Sequence, residues 1–173
     1  AIAARKVRDR LQALVANGYG MGPGTNPTNG TDGQSIPGLT NAPNRLTLTL
    51  GTDWDDSGAD IIGDTLRMLE TAYANNLFGP FHVYVPKNYW AILQQDYSTQ
   101  KGEKTFLGRM LDFADIAAVR PLDALANDNV VMVQMTEDVI DLSEAQAITT
   151  VQWEKTPFVT NFRVMTVAGP HIK

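Results

Sequence analysis

The sequence has 173 residues, of which 43% are hydrophobic and 19% charged, with a formal net charge of −5 and no cysteine. A chain of this length can bury a single-domain core. The acidic balance argues against a nucleic-acid groove or an anionic membrane as the main ligand, because both select for clustered lysine and arginine. The lack of cysteine excludes disulfides, thiolate nucleophiles and cysteine-ligated zinc.

One short run of the sequence is strongly basic. Residues 5–10, Arg-Lys-Val-Arg-Asp-Arg, are read first as the solvated face of a helix and second as a contact for nucleic acid or a neighbouring subunit. No apolar run approaches the roughly 18 residues that span a bilayer, and no signal segment opens the chain, so a soluble protein is expected. Because the residues after Ala1 already suggest a helix, we expect that the chain was processed or that an upstream part precedes it.

The first part of the chain predicts a helix, a long loop and a short strand. Residues 2–16 place apolar side chains at helical spacing, and Asn17-Gly18 is a typical helix end. Residues 18–44 are too rich in Gly, Pro, Asn and Thr to pack, so we expect a mobile loop that includes the Gly20–Gly33 insertion. The alternation of leucine and threonine over residues 46–50 predicts a half-buried strand.

The middle of the chain predicts three helices and one strand. A helix over residues 59–76 begins with a capping box of Ser57 and Asp60. Its predicted buried stripe is Ile62, Leu66, Leu69 and Tyr73. Residues 81–85 predict a strand, Pro86 opens a helix to about Tyr97, and residues 103–113 predict another short helix.

The last part of the chain turns to β structure. Predicted strands cover residues 116–119, 130–135, 138–142, 146–153 and 159–168. Helices and strands are mixed without a regular βαβ rhythm. We therefore predict an α+β fold rather than a doubly wound parallel sheet.

One acidic segment partly matches a calcium-binding loop. Its candidate ligands, at loop positions 1, 3, 5 and 12, are Asp53, Asp55, Ser57 and Asp64. Position 12 is Asp instead of the usual bidentate Glu, and the preceding element is predicted to be a strand instead of a helix. The competing interpretation needs no metal, because Ser57 caps the next helix and Asp64 lies near its positive N-terminus.

No set of residues predicts catalysis or a cofactor. The two histidines, His82 and His171, have no carboxylate or second histidine at metal-ligand spacing. None of the serines lies in a Gly-x-Ser-x-Gly elbow. We therefore expect no catalytic residue, no bound cofactor and no metal, and interpret the chain as a non-enzyme.

The order of four motifs is more informative than any single residue. A helix ends at Asn17-Gly18, and residues 36–43 read Ile-Pro-Gly-Leu-Thr-Asn-Ala-Pro. Residues 79–89 read Gly-Pro-Phe-His-Val-Tyr-Val-Pro-Lys-Asn-Tyr, and residues 161–167 read Asn-Phe-Arg-Val-Met-Thr-Val. This order resembles the tailed-phage major capsid proteins of the Hong Kong 97 fold and their encapsulin relatives.

The resemblance implies an α+β fold of the Hong Kong 97 capsid type. Residues 1–79 and 155–173 would form the peripheral-domain portion, with the end of a spine helix, a second helix and a closing strand. Residues 80–154 would form an axial domain with a mixed central sheet flanked by helices. The N-terminal arm and extended loop of such proteins have no counterpart here, so the chain resembles their C-terminal two-thirds.

The function implied by the resemblance is that of a structural subunit of an icosahedral shell. A viral or prophage major capsid protein would self-assemble to enclose the genome, and the alternative within the family is an encapsulin-like nanocompartment. Expected partners are copies of the chain in pentamers and hexamers, together with scaffolding, protease and portal proteins, without sequence-specific nucleic acid or membrane. The expected location is the virion capsid, assembled in the bacterial cytoplasm. An alternative from another class is a calcium-binding domain around Asp53–Asp64.

Overall fold

The computed structural model describes residues 2–18, 36–49, 51–97, 104–156 and 158–172. The elements in chain order are α1 (Ile2–Asn17), α2 (Ile61–Ala74), β1 (Phe81–Val85), α3 (Lys87–Ile92), α4 (Phe106–Leu111), β2 (Ile116–Pro121), β3 (Val131–Gln134), β4 (Ile140–Thr156) and β5 (Val159–Ile172). The chain forms two compact units. Unit 1 comprises Ala1–Pro43 and Ile140–Lys173, and unit 2 comprises Asn44–Val139.

Helix α1 of unit 1 is amphipathic, as its spacing predicts. Val7, Leu11, Leu14 and Val15 are half-buried, and the charged side chains between them are exposed. The helix packs against β5. Gly18 follows the helix with a φ of 73°, a left-handed conformation in which glycine has no steric penalty.

The end of α1 is capped by residues 38–41. The last carbonyl groups of a helix lack partners within the helix. Here the backbone N–H groups of Leu39 and Thr40 donate to the carbonyls of Val15 and Ala16, both at 3.0 Å. Residues 36–43 are therefore held against the helix, although the sequence predicts them as part of a mobile loop, while residues 19–35 lie outside the described residues.

Asn41 completes this cap. It is fully buried, its Nδ2 donates to the carbonyl of Asn17 at 2.8 Å, and its Oδ1 accepts from the N–H of Gly38 at 2.6 Å. The two backbones approach so closely that a methyl group at Gly38 would overlap the backbone of Asn17 and Gly18. The Gly-Leu-Thr-Asn segment of the sequence is thus a helix cap.

Unit 2 is built around a three-stranded sheet with the order β2-β1-β3. Strand β1 lies in the centre, parallel to β2 and antiparallel to β3. Its residues Phe81, Val83 and Val85 are buried, while His82 and Tyr84 are half-buried. Side chains from α2, α3 and α4 join this core, and the rings of Trp54 and Tyr89 stack within it at 5.3 Å.

Helix α2 begins later than predicted, and its buried face includes Ile62 and Leu69 of the predicted stripe but not the other two residues. Its N-cap is Asp60 and not Ser57, because the Asp60 carboxylate accepts a hydrogen bond from the N–H of Gly63 at 2.9 Å. Leu66 and Tyr73 of the predicted buried stripe are exposed. The buried residues of the helix are Ile61, Ile62, Asp64, Thr65, Leu69 and Ala72.

The prediction of a strand over residues 46–50 is wrong for residues 46–49, the part of it that the structure describes. Residues 46–49 belong to no strand, and Leu46 and Leu48 are exposed. Alternation of apolar and polar residues predicts a strand only where another strand supplies the ladder of hydrogen bonds. No strand of the described residues pairs with this segment.

Helices α3 and α4 are shorter than predicted. Helix α3 ends at Ile92. Backbone carbonyls of the residues that follow accept hydrogen bonds from N–H groups at the start of α4. The carbonyl of Leu93 accepts from the N–H of Leu107 at 2.9 Å, and that of Gln95 accepts from Phe106 at 3.1 Å. These bonds end the helix before the predicted position.

The strands predicted over residues 138–142 and 146–153 are one continuous strand, β4. It pairs with β5 in an antiparallel hairpin whose register shifts between Glu144 and Gln146 and again between Gln146 and Thr149. Such bulges break the alternation of side chains between the two faces. The interrupted pattern explains why the sequence suggests two strands.

The boundaries between the two compact units differ from the predicted domain boundaries. The predicted boundary after residue 79 falls within unit 2, and the boundary after residue 154 falls within β4. The assignment of peripheral and axial domains therefore stays a prediction. Among the described residues, no helix is long and apolar enough to cross a membrane.

Candidate interaction surface

The hairpin of β4 and β5 is long for a two-stranded ribbon. Strand β4 has 17 residues and β5 has 14, whereas strands usually have about 5–6 residues. At about 3.3 Å per residue, β4 extends for roughly 55 Å. Two-stranded hairpins are marginally stable in water unless another element covers one face. Helix α1 packs against β5, whereas β4 has no fully buried residue.

Large apolar side chains are exposed along this hairpin. The most exposed is Phe158 in the turn, at 96%, and the other aromatic side chains are Phe162 at 66% and Trp153 at 47%. The same surface includes Leu142, Val151, Val159 and Val167, and we call these seven side chains the hairpin surface. Several exposed large apolar side chains along one ribbon are typical of an element that contacts other molecules.

The register places apolar groups on both faces of the ribbon. Trp153 lies opposite Asn161, and the next residue pair along the ribbon is Gln152 and Phe162. Because successive pairs point to opposite faces, Trp153 and Phe162 project to different sides. The ribbon can therefore contact other protein on both faces.

The hairpin also has open edges. Among the described residues, the sheet contains only β4 and β5, so each strand has one edge without a ladder partner. Long open edges bind other strands readily, and monomeric proteins usually shorten or cover them. Apolar faces and open edges together are typical of a surface that is covered in an assembly.

The predicted calcium-loop residues have different environments. Asp53, Asp55 and Ser57 are exposed, whereas Asp64 is buried. The carboxylate of Asp64 accepts a hydrogen bond from the indole Nε1 of Trp54 at 2.9 Å and forms an ion pair with Arg67. Asp64 therefore stabilises the core around Trp54, with both of its oxygens engaged.

No metal centre appears in the part of the chain that the structure describes. It contains no group of three or more His, Cys, Asp or Glu side chains placed to hold a metal ion. The calcium interpretation stays an untested prediction, and the engagement of Asp64 does not favour it.

Unit 2 contains a cluster of polar side chains, Asn88, Tyr89 and Asp128, that was not identified from the sequence. Asn88 is half-buried, and its Oδ1 has no hydrogen-bond partner among the described residues. The hydroxyl of the buried Tyr89 lies near the Asp128 carboxylate and the backbone of Trp54. Asn88 Nδ2 donates to the carboxylate of Asp128 at 2.8 Å. Because Asp128 is 40 residues from Asn88, sequence spacing gave no signal for this cluster.

Neighbouring carboxylates raise the pKa values of two groups at this cluster. Burial raises the pKa of the Tyr89 phenol, and a hydrogen bond with the Trp54 backbone partly offsets this rise. The charge of Asp128, a hydrogen bond to its carboxylate and the charge of Asp53 raise the pKa further. Desolvation raises the pKa of Asp53, and the charges of Asp128, Asp55 and Asp56 add to the shift. Carboxylates repel one another when no cation lies between them.

Helix α1 carries the opposite charge. Its exposed side chains Arg5, Lys6, Arg8 and Arg10 are accompanied by a single acid, Asp9. None of these four basic side chains forms an ion pair with the described residues. The helix therefore has cationic groups available for a partner.

Comparison with known proteins gives a family and a fold. Residues 1–173 match the sequence model of a family described as "Family of unknown function (DUF6260)". The chain therefore belongs to this family. No curated protein matches the sequence.

The fold is similar to that in the "Crystal structure of virus-like particle from Pyrococcus furiosus". The TM-score is 0.60 at 18% sequence identity, and the match covers 72% of this chain and 50% of that chain. The present chain thus corresponds to about half the length of the solved one. The expected mixed α and β architecture is confirmed, and the shared fold is that of a virus-like particle protein.

Proposed function

We propose that the chain is a structural subunit of a closed protein shell that assembles from many copies of itself. The observation that carries this proposal is the hairpin surface. A ribbon of 17 and 14 residues exposes Phe158, Phe162 and Trp153. Such a ribbon is stabilised when neighbouring subunits cover its faces.

The similarity to the virus-like particle protein supports the same proposal. Its 18% identity informs the fold, and the proposed role follows when that fold is combined with the exposed hairpin. The motif order supports the finer hypothesis of a Hong Kong 97-type capsid fold. Residues 36–43, which belong to that order, cap helix α1 in this chain.

Two kinds of shell are consistent with this fold. We propose first a phage or prophage major capsid protein that encloses a genome within a virion. Its subunits would form pentamers and hexamers in the bacterial cytoplasm, with scaffolding, protease and portal proteins as further partners. The second candidate is an encapsulin-like nanocompartment, which the similarity to a virus-like particle favours. In both cases the role is structural and not catalytic.

Electron microscopy tests the shell hypothesis directly. The full-length gene product is expressed, purified by sedimentation through sucrose and imaged in negative stain. We expect closed particles of uniform diameter. A protein that stays monomeric at high concentration, with and without its neighbouring gene products, would refute the proposal.

The contents of the particles separate the two candidates. Nuclease treatment followed by extraction should recover protected DNA of defined length from a capsid. A nanocompartment should instead contain a co-purifying protein and no defined DNA.

A further inference from the structure

The half of the β4–β5 hairpin nearest the turn is bare on both faces. Every residue of β4 over residues 149–156 is exposed, and residues 159–163 of β5 are exposed except for the half-buried Asn161. Because successive side chains of a strand point to opposite faces, exposure of every residue means that nothing among the described residues covers either face. We call residues 149–156 and 158–163 the distal hairpin.

A bare two-stranded ribbon of this kind needs a further partner. Isolated hairpins are marginally stable in water, and they become stable when a third strand joins them or another element covers a face. The distal hairpin also exposes the aromatic rings of Trp153, Phe158 and Phe162. Removing these rings from water would be favourable. The partner must therefore satisfy both the backbone and the apolar side chains.

The outer edge of β4 is suited to receive another strand. Its pairing with β5 runs without a register shift over residues 149–154, which we call the edge segment, and shifts occur on both sides of it. Every second residue of such a segment turns its N–H and C=O groups away from β5. Proteins that resist strand addition place lysine, proline or bulges at open edges. The edge segment, Thr-Thr-Val-Gln-Trp-Glu, has none of these.

We propose that the edge segment of one copy pairs antiparallel with the edge segment of a second copy about a two-fold axis. This inference rests on the proposed function, because it identifies one contact between shell subunits. Two hairpins then form one four-stranded sheet, in which the outward backbone groups of each β4 bond to those of the other. A two-fold contact uses the same surface on both subunits, so a single segment is sufficient.

Symmetry and charge limit the register of this pairing. When the two-fold axis is perpendicular to the sheet, one residue faces its own copy, and its two neighbours face each other. A centre at Val151 or Gln152 uses most of the edge segment. In these two registers Glu154, the one charged residue of the segment, faces Ile148 or Thr150 and never its own copy. No like charges therefore oppose each other, which would destabilise the sheet.

A second copy satisfies the distal hairpin better than a membrane or a nucleic acid does. Insertion into lipid would bury the aromatic rings, but the open edge of β4 would then lack hydrogen-bond partners in the hydrocarbon. The edge segment contains an acid and no basic residue, so it does not attract phosphate. A strand of a second copy offers both a backbone ladder and apolar side chains.

A single-cysteine scan tests the contact and gives its register. The chain has no cysteine, so each variant carries one thiol. Residues 149–153 are changed to cysteine one at a time, and the protein is oxidised mildly. The residue on the axis has its Cα about 4.5–5.5 Å from that of its copy, within reach of a disulfide, whereas the next residue is roughly 8 Å away.

We expect the covalent dimer to peak at Val151 or Gln152, at least about fivefold above the residues on either side. Ser143→Cys is the matched control, because Ser143 is exposed on β4 before the register shifts. It should give no dimer above background.

A mixture of oppositely charged variants gives an independent measurement. With a centre at Val151, Val151→Lys brings two ammonium groups together, and Val151→Glu brings two carboxylates together. Each variant alone should raise the concentration of free subunit about fivefold, because like charges then lie directly opposite. An equal mixture of the two should recover wild-type assembly, and Ser143→Lys should assemble like wild type. The same exchange is made at Gln152 if the scan peaks there.

The contrary outcomes separate this inference from the shell function. If wild type forms particles but no residue of the edge segment gives a peak, or the peak lies among residues 160–164 of β5, the inference is wrong and the shell function stands. A peak in the edge segment of a protein that forms no particles supports the pairing and refutes the shell function. Binding to phosphatidylcholine vesicles that is lost in Trp153→Ser, without any covalent dimer in the scan, would assign the distal hairpin to a membrane and overturn the inference.

Discussion

Replacing Asn41 by alanine tests the helix cap most directly. The change removes one buried and one part-buried hydrogen bond, and it takes the Asn41 partner from the N–H of Gly38 and from the carbonyl of Asn17. An unpaired buried N–H at Gly38 costs about 1–3 kcal/mol and the loss of the part-buried bond about 0.5–1.5 kcal/mol, so the free energy of unfolding should fall by about 1.5–4.5 kcal/mol. That is a large share of the roughly 5–15 kcal/mol that stabilises a typical domain.

The assay for Asn41→Ala combines urea denaturation with hydrogen exchange. Far-UV circular dichroism gives the free energy of unfolding, and exchange of the Leu39 and Thr40 amides reports on the cap itself, since they bond to α1 carbonyls. The control Asn44→Ala changes an exposed asparagine and should shift stability by less than about 0.5 kcal/mol. If Asn41→Ala behaves like this control, the cap does not stabilise the helix as described.

Three further changes test other contacts. Trp54→Phe removes the indole donor to the buried carboxylate of Asp64, so urea denaturation should show a loss of about 1.5–3 kcal/mol. Phe158→Ser removes an exposed ring, so sedimentation should show less assembled protein while subunit stability changes by less than about 0.5 kcal/mol. The hydrogen bond to Asp115 raises the pKa of the Tyr73 phenol above its ordinary value of 10.0. The folded state therefore keeps this proton longer, and the stability lost in Tyr73→Phe should be seen below pH 10.0 and disappear as pH rises through the raised pKa.

A matched control variant for each of these three experiments shows whether the effect depends on the contact in question or on the type of substitution alone. Trp153→Phe alters an exposed tryptophan, and a loss as large as that of Trp54→Phe would contradict the role of the indole hydrogen bond. Leu46→Ser removes an exposed apolar side chain outside the hairpin and should leave assembly unchanged. Tyr97→Phe removes a hydroxyl from another exposed tyrosine. A stability difference for Tyr73→Phe that does not change with pH would refute the linkage to Asp115.

The elements that the sequence predicted well depend on local patterns. Helix α1 and strand β1 have nearly the predicted bounds, because their apolar spacing matches the side that they bury. The sequence failed where a distant partner decides the structure. Residues 46–49 alternate like a strand but have no strand to pair with. Helix α3 ends early because the carbonyls of the residues after it accept hydrogen bonds from the start of α4.

The same reasoning applies to the candidate surfaces. The aromatic residues are visible in the sequence, but only the structure shows that Trp153 and Phe162 are exposed and lie on opposite faces of the hairpin. Asp53, residues 88–89 and Asp128 come together only through tertiary structure. Asp64 fits a calcium-loop spacing, yet the structure uses it to bond Trp54.

The cap at α1 also has a consequence for how this protein can vary. Gly18 and Ile36 lie in backbone contact, so the chain leaves the helix and returns to it at almost the same point. Changing the length of the segment between them alters loop entropy by only about 0.6 kcal/mol for each doubling. Because both ends are fixed by the cap, an epitope tag or a small domain inserted between Gly18 and Ile36 should leave the capped helix undisturbed.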